Sequence, residues 1–540
     1  MLIRLPDPRS LLATALFTVK AAAGVWLLIA FAAVFVMTLG IDEAWVLNGL
    51  RSSLEPRVEN LTTELIVTNG GPFALLNLAS EFLLGSKVWV ARLFSLGWLL
   101  AALYLVSRHA APGARGRTSV LLVLAPVLAF PGVAEIGTAA LGTSAGLFFM
   151  MAALSTWSHP SVSLATRIVG TGVLYGLAAA SRFDLVLVGP ALVLASSFRS
   201  APDRRVDLRF DPGAIAALAI GGAIFIANQW VMSLPANAVV VANVAGSTGL
   251  SGVKFDYPKL LNAWATAATI APLAFLVLLA VGAFWRDPVL SAASTTRRTP
   301  SFEALLAATG VVLFAGWLFR APIPHLRYLL PSLFCFAVLG GLTLSRVAAA
   351  AASRGNLRQL LLCTLLALAC MVGGIAATLR SLVMSDSDYA SWEWANEMPF
   401  DYFRRFEARG EQARIAAFLR DELPAEARIY GYLPYALRYL ARRPIVAVDL
   451  GFEPTDQQVR SQRFVVLSPA VGTYLYLNAG AQGWLLENAV LHKEIGRYSV
   501  YRLHDGPDSA LNKLKPLRTN YEGHPASKAW FGRHWEQGAR

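Results

Sequence analysis

The sequence predicts a polytopic α-helical membrane protein with about eleven transmembrane helices, juxtamembrane helices on the periplasmic side, and a C-terminal extracytoplasmic α/β domain. Three observations predict it. Of 540 residues, 56% are hydrophobic and only 15% charged, where soluble domains run nearer a quarter charged. Long apolar runs recur as far as about residue 380. Polar residues then accumulate. This balance excludes a soluble globular enzyme, a disordered chain and a disulfide scaffold. The net charge of +13 reads as topology and contact with anionic lipid, not nucleic acid. Cys335, Cys363 and Cys370 all lie in apolar runs, and no Cys/His spacing suggests zinc.

The first span is 21–40, twenty uncharged residues with Lys20 at its inner edge, enough for a ~30 Å hydrocarbon core. The run is too long for a cleaved signal peptide and lacks the small-residue cleavage pattern, so it predicts an uncleaved helix with a cytoplasmic N-terminus. Residues 72–85 are too short to span and read as an interfacial or re-entrant helix. Ten further spans follow at 89–107, 118–133, 143–157, 168–181, 184–198, 213–234, 260–285, 303–319, 328–345 and 359–378. The runs 168–181 and 184–198 are short and meet at Arg182-Phe183-Asp184. The basic loops 199–211, 286–302 and 346–358 then fall inside, with 17 Lys/Arg on the cytoplasmic side against 9 in the outward loops, as the positive-inside rule asks.

Residues 1–379 therefore form the membrane domain, 380–503 an outer α/β domain, and 504–540 a basic, loosely ordered tail. In the outer domain Glu411–Leu423 has helical periodicity up to Pro424. Residues 428–432, 444–449, 464–467, 490–495 and 499–503 read as strands, with a helix at 434–442.

Asp42 and Glu43 directly follow the first span, at the outer membrane surface. Paired carboxylates there serve either as an ordinary helix start, with Asp42 as N-cap, or as catalytic groups. Further ionisable residues recur at the same predicted face: Arg92, Glu135, Arg182, Asp184, Arg320, His325 and Arg327. Each alone reads as a snorkelling or ion-paired side chain. Their shared level favours function, because ionisable groups at membrane depth are costly.

The order of these features resembles the C-type membrane glycosyltransferases, in the branch of protein mannosyltransferases and lipid A aminoarabinose transferases. Asp42-Glu43 follows the first helix, then come Gly71-Pro72…Gly85, Val90-Ala91-Arg92-Leu93, Ser181-Arg182-Phe183-Asp184 and Arg327-Tyr328-Leu329-Leu330-Pro331. The family's Pro-Pro is here Gly-Pro, and its second-loop Asp is absent, leaving Glu135. The resemblance implies transfer of a sugar from a polyprenyl-phosphate donor, on the outer face of the membrane, to a glycolipid, polysaccharide or protein acceptor; Ala- and Arg-rich usage with short loops points to a bacterial inner membrane. It implies Asp42, Glu43 and Glu135 as the catalytic carboxylates. Arg327, Arg320 and Arg182, with His325 and Tyr328, would bind the donor phosphate, while Arg92 is structural. No cofactor is called for, and a divalent ion at Asp42 and Glu43 stays open. A transporter or flippase would also use intramembrane charges, but would favour repeats and charges near the bilayer middle. A membrane sensor could carry the outer domain without the arginines.

Overall fold

The computed structural model describes residues 8–36, 47–48, 76–77, 79, 82–85, 87–110, 117–128, 140–200, 206–208, 210–232, 300–320, 326–383, 408–432, 434–448, 462–467, 475–476, 479–514 and 518–519. These fall into two compact units, a helical one up to residue 383 and a mixed one from residue 408 that also takes in Val36, Leu47 and Asn48.

In the helical unit, α1 spans Pro8–Val36, α2 Val88–Ser107, α3 Arg117–Leu128, α4 Thr143–Ser158, α5 Leu164–Ser181, α6 Val188–Ser197, α7 Pro212–Met232, α8 Phe302–Arg320, α9 Leu326–Ser353 and α10 Leu357–Val383. A short hairpin, β1 (Phe198–Ser200) with β2 (Val206–Leu208), links α6 to α7. Among the described residues, six helical segments are long and apolar enough to cross a membrane: Arg9–Ala32, Val88–Ser107, Leu164–Ser181, Phe302–Phe319, Leu329–Ser353 and Leu357–Ile375. The chain is a multi-pass membrane protein. The expected span 260–285 lies outside the described residues.

Two expectations are corrected. The first helix starts at Pro8, so Lys20 lies within it, exposed, and not at its edge. A span needs apolar residues but a helix does not, and proline at the first position is preorganised for a helical start. The expected loop 346–358 is mostly helix, because Ala348–Ala352 extend α9 to Ser353, alanine being the strongest helix former. The turn that remains is tight. Gly355 takes φ +66°, and the Asn356 amide donates to Ala351 O at 2.8 Å, a left-handed C-terminal cap. Asn356 Oδ1 then accepts from the Gln359 amide at 3.1 Å to open α10.

Small residues let α5 and α7 pack with their backbones nearly touching. A Cβ on Gly172 would lie 2.9 Å from Ala217 O, and one on Gly176 would lie 2.7 Å from Ile224 Cβ. Such stripes are how helices associate in lipid.

Helix directions follow from paired contacts. Trp98 packs on Phe148, and His109 Nε2 lies 2.9 Å from Ser155 Oγ, so α2 and α4 run parallel. Ser332 Oγ donates to Gly310 O at 2.7 Å and Arg346 pairs with Glu303, so α8 and α9 run antiparallel. His109 stacks on Phe302 at 3.8 Å between ring centroids. One end of the unit therefore gathers His109, Ser155, Phe302, Glu303 and Arg346. The opposite end gathers the starts of α2 and α4, the end of α8 and the start of α9.

The second unit is built on a five-stranded sheet of order β4-β3-β5-β8-β7. Its strands are β3 (Arg428–Gly431), β4 (Val446–Ala447), β5 (Arg463–Leu467), β7 (Ala489–Ile495) and β8 (Tyr498–Leu503). A separate pair joins β6 (Leu475–Tyr476) to β9 (Arg518–Thr519). β3 is parallel to both β4 and β5, while β8 is antiparallel to β5 and β7. Side chains alternate in period two, so Ile429, Phe464, Val466 and Val500 face a core with α11 (Ala408–Asp421) and α12 (Tyr435–Ala441). Tyr430, Val465 and Leu503 face a second core with α13 (Ala479–Asn488) and a 3-10 helix, Asp508–Leu514. Covering both faces is what makes Phe464–Leu467 read as an unbroken apolar run. Arg443 Nη1 donates to Leu419 O at 2.7 Å and Leu423 O at 3.0 Å, satisfying carbonyls at the end of α11. The β7–β8 turn uses Gly496 at φ +58°. Glu411 closes over it, accepting from the Arg497 amide at 3.2 Å.

The expected tail boundary at 503 is also corrected. Leu511 and Leu514 are fully buried, and Asp508 is 2% exposed. Asp508 accepts from Tyr430 Oη at 2.7 Å and pairs with Arg463 at 3.2 Å and Arg428 at 3.0 Å. Burial, and then this hydrogen bond, pushes the Tyr430 phenol well up from its ordinary pKa, so it stays the donor. Replacing Asp508 by Ala leaves the Arg463 guanidinium buried without its counter-ion, which costs about 3–5 kcal/mol. Hydrogen exchange at β3 and β5 should accelerate strongly in Asp508→Ala. Unchanged protection there would show that the buried triad does not hold the sheet.

Candidate functional site at one end of the helical unit

Arg182 is the expected site residue whose side chain is described in full. α5 begins at the N-cap Ser163, whose side chain accepts from the Thr166 amide, and ends at Ser181. Arg182 is extended, φ −157° and ψ 119°, and the chain re-enters helix as a 3-10 turn, Phe183–Leu187, that leads into α6. The junction falls where the two short runs meet. Its cause is local. Pro190 has no amide hydrogen to give the Val186 carbonyl, the acceptor four residues back. That carbonyl instead accepts from Tyr175 Oη at 2.8 Å. The Tyr175 ring fits because Gly189 and Gly221 leave room for it. A Cβ on Gly189 would lie 2.7 Å from the tyrosine's Cζ.

The guanidinium is clamped. Nε donates to both Asp184 oxygens at 2.7 and 2.9 Å, and Nη1 donates to Thr143 Oγ1 at 2.6 Å. The Arg182 side chain is 11% exposed and that of Asp184 26%. Thr143 opens α4 and is itself buried. One turn on, Gly146 brings α4 close, since a Cβ there would lie 3.4 Å from Arg182 Cβ. Ion pairing is the usual resolution for charges at this depth, and bonds to ionised groups are the strong ones.

The other arginines join the same end. Leu187, five residues after Arg182, fills the space beside Gly316, one turn before Arg320. Arg320 closes α8, while Arg327 and Tyr328 lie in the first turn of α9. Because α8 and α9 are antiparallel, all three sit at the end opposite Glu303 and Arg346. Arg92 lies in the second turn of α2 and is 2% exposed. Asp42, Glu43, Glu135 and His325 lie outside the described residues, as do the side chains of Arg320, Arg327 and Tyr328. Among the described residues, no group of three or more His, Cys, Asp or Glu is placed to hold a metal ion. Sequence reasoning missed Thr143 and Tyr175. A hydroxyl in an apolar helix carries no distinguishing pattern, although Pro190 did signal a spare carbonyl.

Tyr175→Phe removes this donor from the part-buried Val186 carbonyl, a cost of up to about 1–3 kcal/mol. The three cysteines are buried, so a thiol-reactive dye reports melting of the helical unit. Tyr175→Phe should melt several degrees lower, and an unshifted melt would mean that the carbonyl finds another donor.

No family model matches the sequence, and no curated protein matches it significantly. Solved structures do. ArnT from Cupriavidus metallidurans bound to undecaprenyl phosphate is 14% identical, aligned over 91% of this chain and 99% of its own, with a TM-score of 0.57. The same protein in the apo state gives a TM-score of 0.52 at 14% identity and the same coverage. An Archaeoglobus fulgidus oligosaccharyltransferase in the apo form is 13% identical over 83% of this chain and 65% of its own, at a TM-score of 0.41, too distant to carry an argument. The likeness to ArnT extends almost end to end and is one of fold: this chain shares the fold of that protein.

Proposed function

We propose that the protein is an inverting glycosyltransferase that moves a sugar from a polyprenyl-phosphate carrier to an envelope acceptor. The gathering of Arg182, Arg320 and Arg327 at one end of the helical unit carries this reading. The fold supports it, being shared with a protein solved with undecaprenyl phosphate bound. In this reading the arginine end faces outward from a bacterial inner membrane, and the sheet-bearing unit that follows residue 380 is extracytoplasmic.

The chemistry asks for two things. An acceptor hydroxyl must lose a proton as it attacks the anomeric carbon, so a carboxylate must lie within hydrogen-bond reach. Asp42 is the base, with Glu43 and Glu135 supporting it. The leaving polyprenyl phosphate develops charge that fixed cations stabilise. Arg327, Arg320 and Arg182 supply forked contacts to its oxygens, with His325 and Tyr328 beside them. A single displacement inverts the anomeric centre. The acceptor is a glycolipid, polysaccharide or protein, and the transferred group a hexose or pentose.

Asp42→Asn keeps the volume and the capping oxygen but not the base. It should lower transfer from lipid-linked sugar by about 10²–10⁴-fold while leaving membrane insertion intact. Near wild-type transfer by folded Asp42→Asn protein would remove Asp42 from the mechanism. Arg327→Ala and Arg320→Ala should weaken donor binding as well as turnover, and Lys should recover only part, since an ammonium cannot make the forked contact. Cysteine labelling at Ser52 and Ser468 should report the outer face; Ser144, expected outside from the sequence, is buried in the helical unit and is no probe. Cytoplasmic labelling at Ser468 would overturn the outward reading.

A further inference from the structure

We infer that Thr143 is a positioning residue for the donor phosphate, acting through the Arg182 guanidinium. The inference rests on the reading of Arg182 as a phosphate-binding group. Its basis is the cross-helix geometry. Asp184 lies two residues from Arg182 in the same turn, so its carboxylate moves with the arginine and sets no direction relative to the rest of the unit. Thr143 is 39 residues away on another helix, and its hydroxyl oxygen accepts from Nη1 at 2.6 Å. That bond ties the guanidinium to the first turn of α4. A free arginine side chain carries about 2 kcal/mol of rotamer entropy. Fixing it before the ligand arrives removes that cost from binding, and a planar fork gives its full contact only when its plane is set.

Two features mark this as a built contact. Thr143 is 1% exposed, and the neighbouring Ser144 is equally buried. Gly146, one turn along the same face, allows the approach, because a Cβ there would meet Arg182 Cβ at 3.4 Å and Leu185 Cδ1 at 2.7 Å. Helix α4 thus presents a hydroxyl and a gap at successive turns, and the Arg182 turn occupies both. Asp184 serves a different end. It balances the charge at this depth, so that the cation persists when no phosphate is present.

A threonine that merely stapled α4 to the α5–α6 junction would show the same hydrogen bond. Its loss would then lower stability and leave ligand affinity alone. The two roles separate in binding of polyprenyl phosphate alone to the purified full-length protein in lipid nanodiscs, with melting measured in parallel. Thr143→Val keeps the shape and removes the acceptor. It should weaken polyprenyl phosphate binding roughly tenfold, the loss of one hydrogen bond to a charged group, and raise the KM for donor more than it lowers kcat. Thr143→Ser should restore most of the affinity. On an Arg182→Ala background, Thr143→Val should cost nothing further, because the group it positions is gone. Thr143→Ala supplies the same test should valine at the start of α4 fail to fold. If Arg182→Ala weakens binding while Thr143→Val and Thr143→Ala bind like wild type, the positioning role is overturned and the phosphate reading of Arg182 stands. Arg182→Ala binding like wild type overturns that reading, and the inference with it.

Discussion

Pro190's missing amide hydrogen is the constraint on which the helical unit turns. A polar group buried at membrane depth must find a partner inside the protein. Pro190 has no amide hydrogen for the Val186 carbonyl, and a tyrosine from α5 donates to that carbonyl. That tyrosine needs space beside Gly189 and Gly221, and the space draws α5, α6 and α7 together. Beside this packing the helix breaks at Arg182, which is extended, with its side chain directed to Asp184 and to the start of α4. A missing hydrogen-bond donor in α6 is thus settled by a tyrosine and two glycines, next to the junction where the charge sits.

The two ends of the helical unit are built differently. At one end His109 stacks on Phe302, and Arg346 pairs with Glu303, tying the tips of α2, α4, α8 and α9 to one another. Burial holds His109 below its ordinary pKa, so the stacked ring favours its neutral form. The other end carries arginines on helix termini and a helix break. Rigidity at one end and helix termini at the other is an arrangement in which a charged ligand group meets backbone ends and forked side chains.

Much of the architecture was legible in the sequence because its signals are collective. Runs of apolar residues place α2, α4, α7, α8 and α10 within a few residues, and short runs rich in β-branched and aromatic residues place β3, β5, β7 and β8. The junction at Ser181–Arg182 was legible because two runs, each short for a span, met at charged residues. Single-residue geometry was not. Nothing in the pattern says that Thr143 reaches an arginine 39 residues away, or that Asp508 is buried against two arginines. Gly506 and Pro507 made 504–514 read as loop, yet Leu511 and Leu514, three apart, carry the spacing of a 3-10 helix. The start of α1 was missed because membrane hydropathy marks the span, and helix formation extends past it into Arg9 and Ser10.

Asp508 also bears on the order in which the chain can fold as it is made. Strands β3 and β5 place Arg463 in the interior, at 6% exposure, but the carboxylate that neutralises it comes 45 residues later. The layer of Ile415, Phe418 and Leu419 needs no residue beyond Val500. The opposite layer needs Leu511 and Leu514. Synthesis runs from the N-terminus, so the first layer can assemble on the emerging chain while the second waits for Leu514. Until then an arginine and an apolar sheet face stay open to solvent, which makes the interval before residue 514 appears the period when this unit is most exposed to proteases and to aggregation.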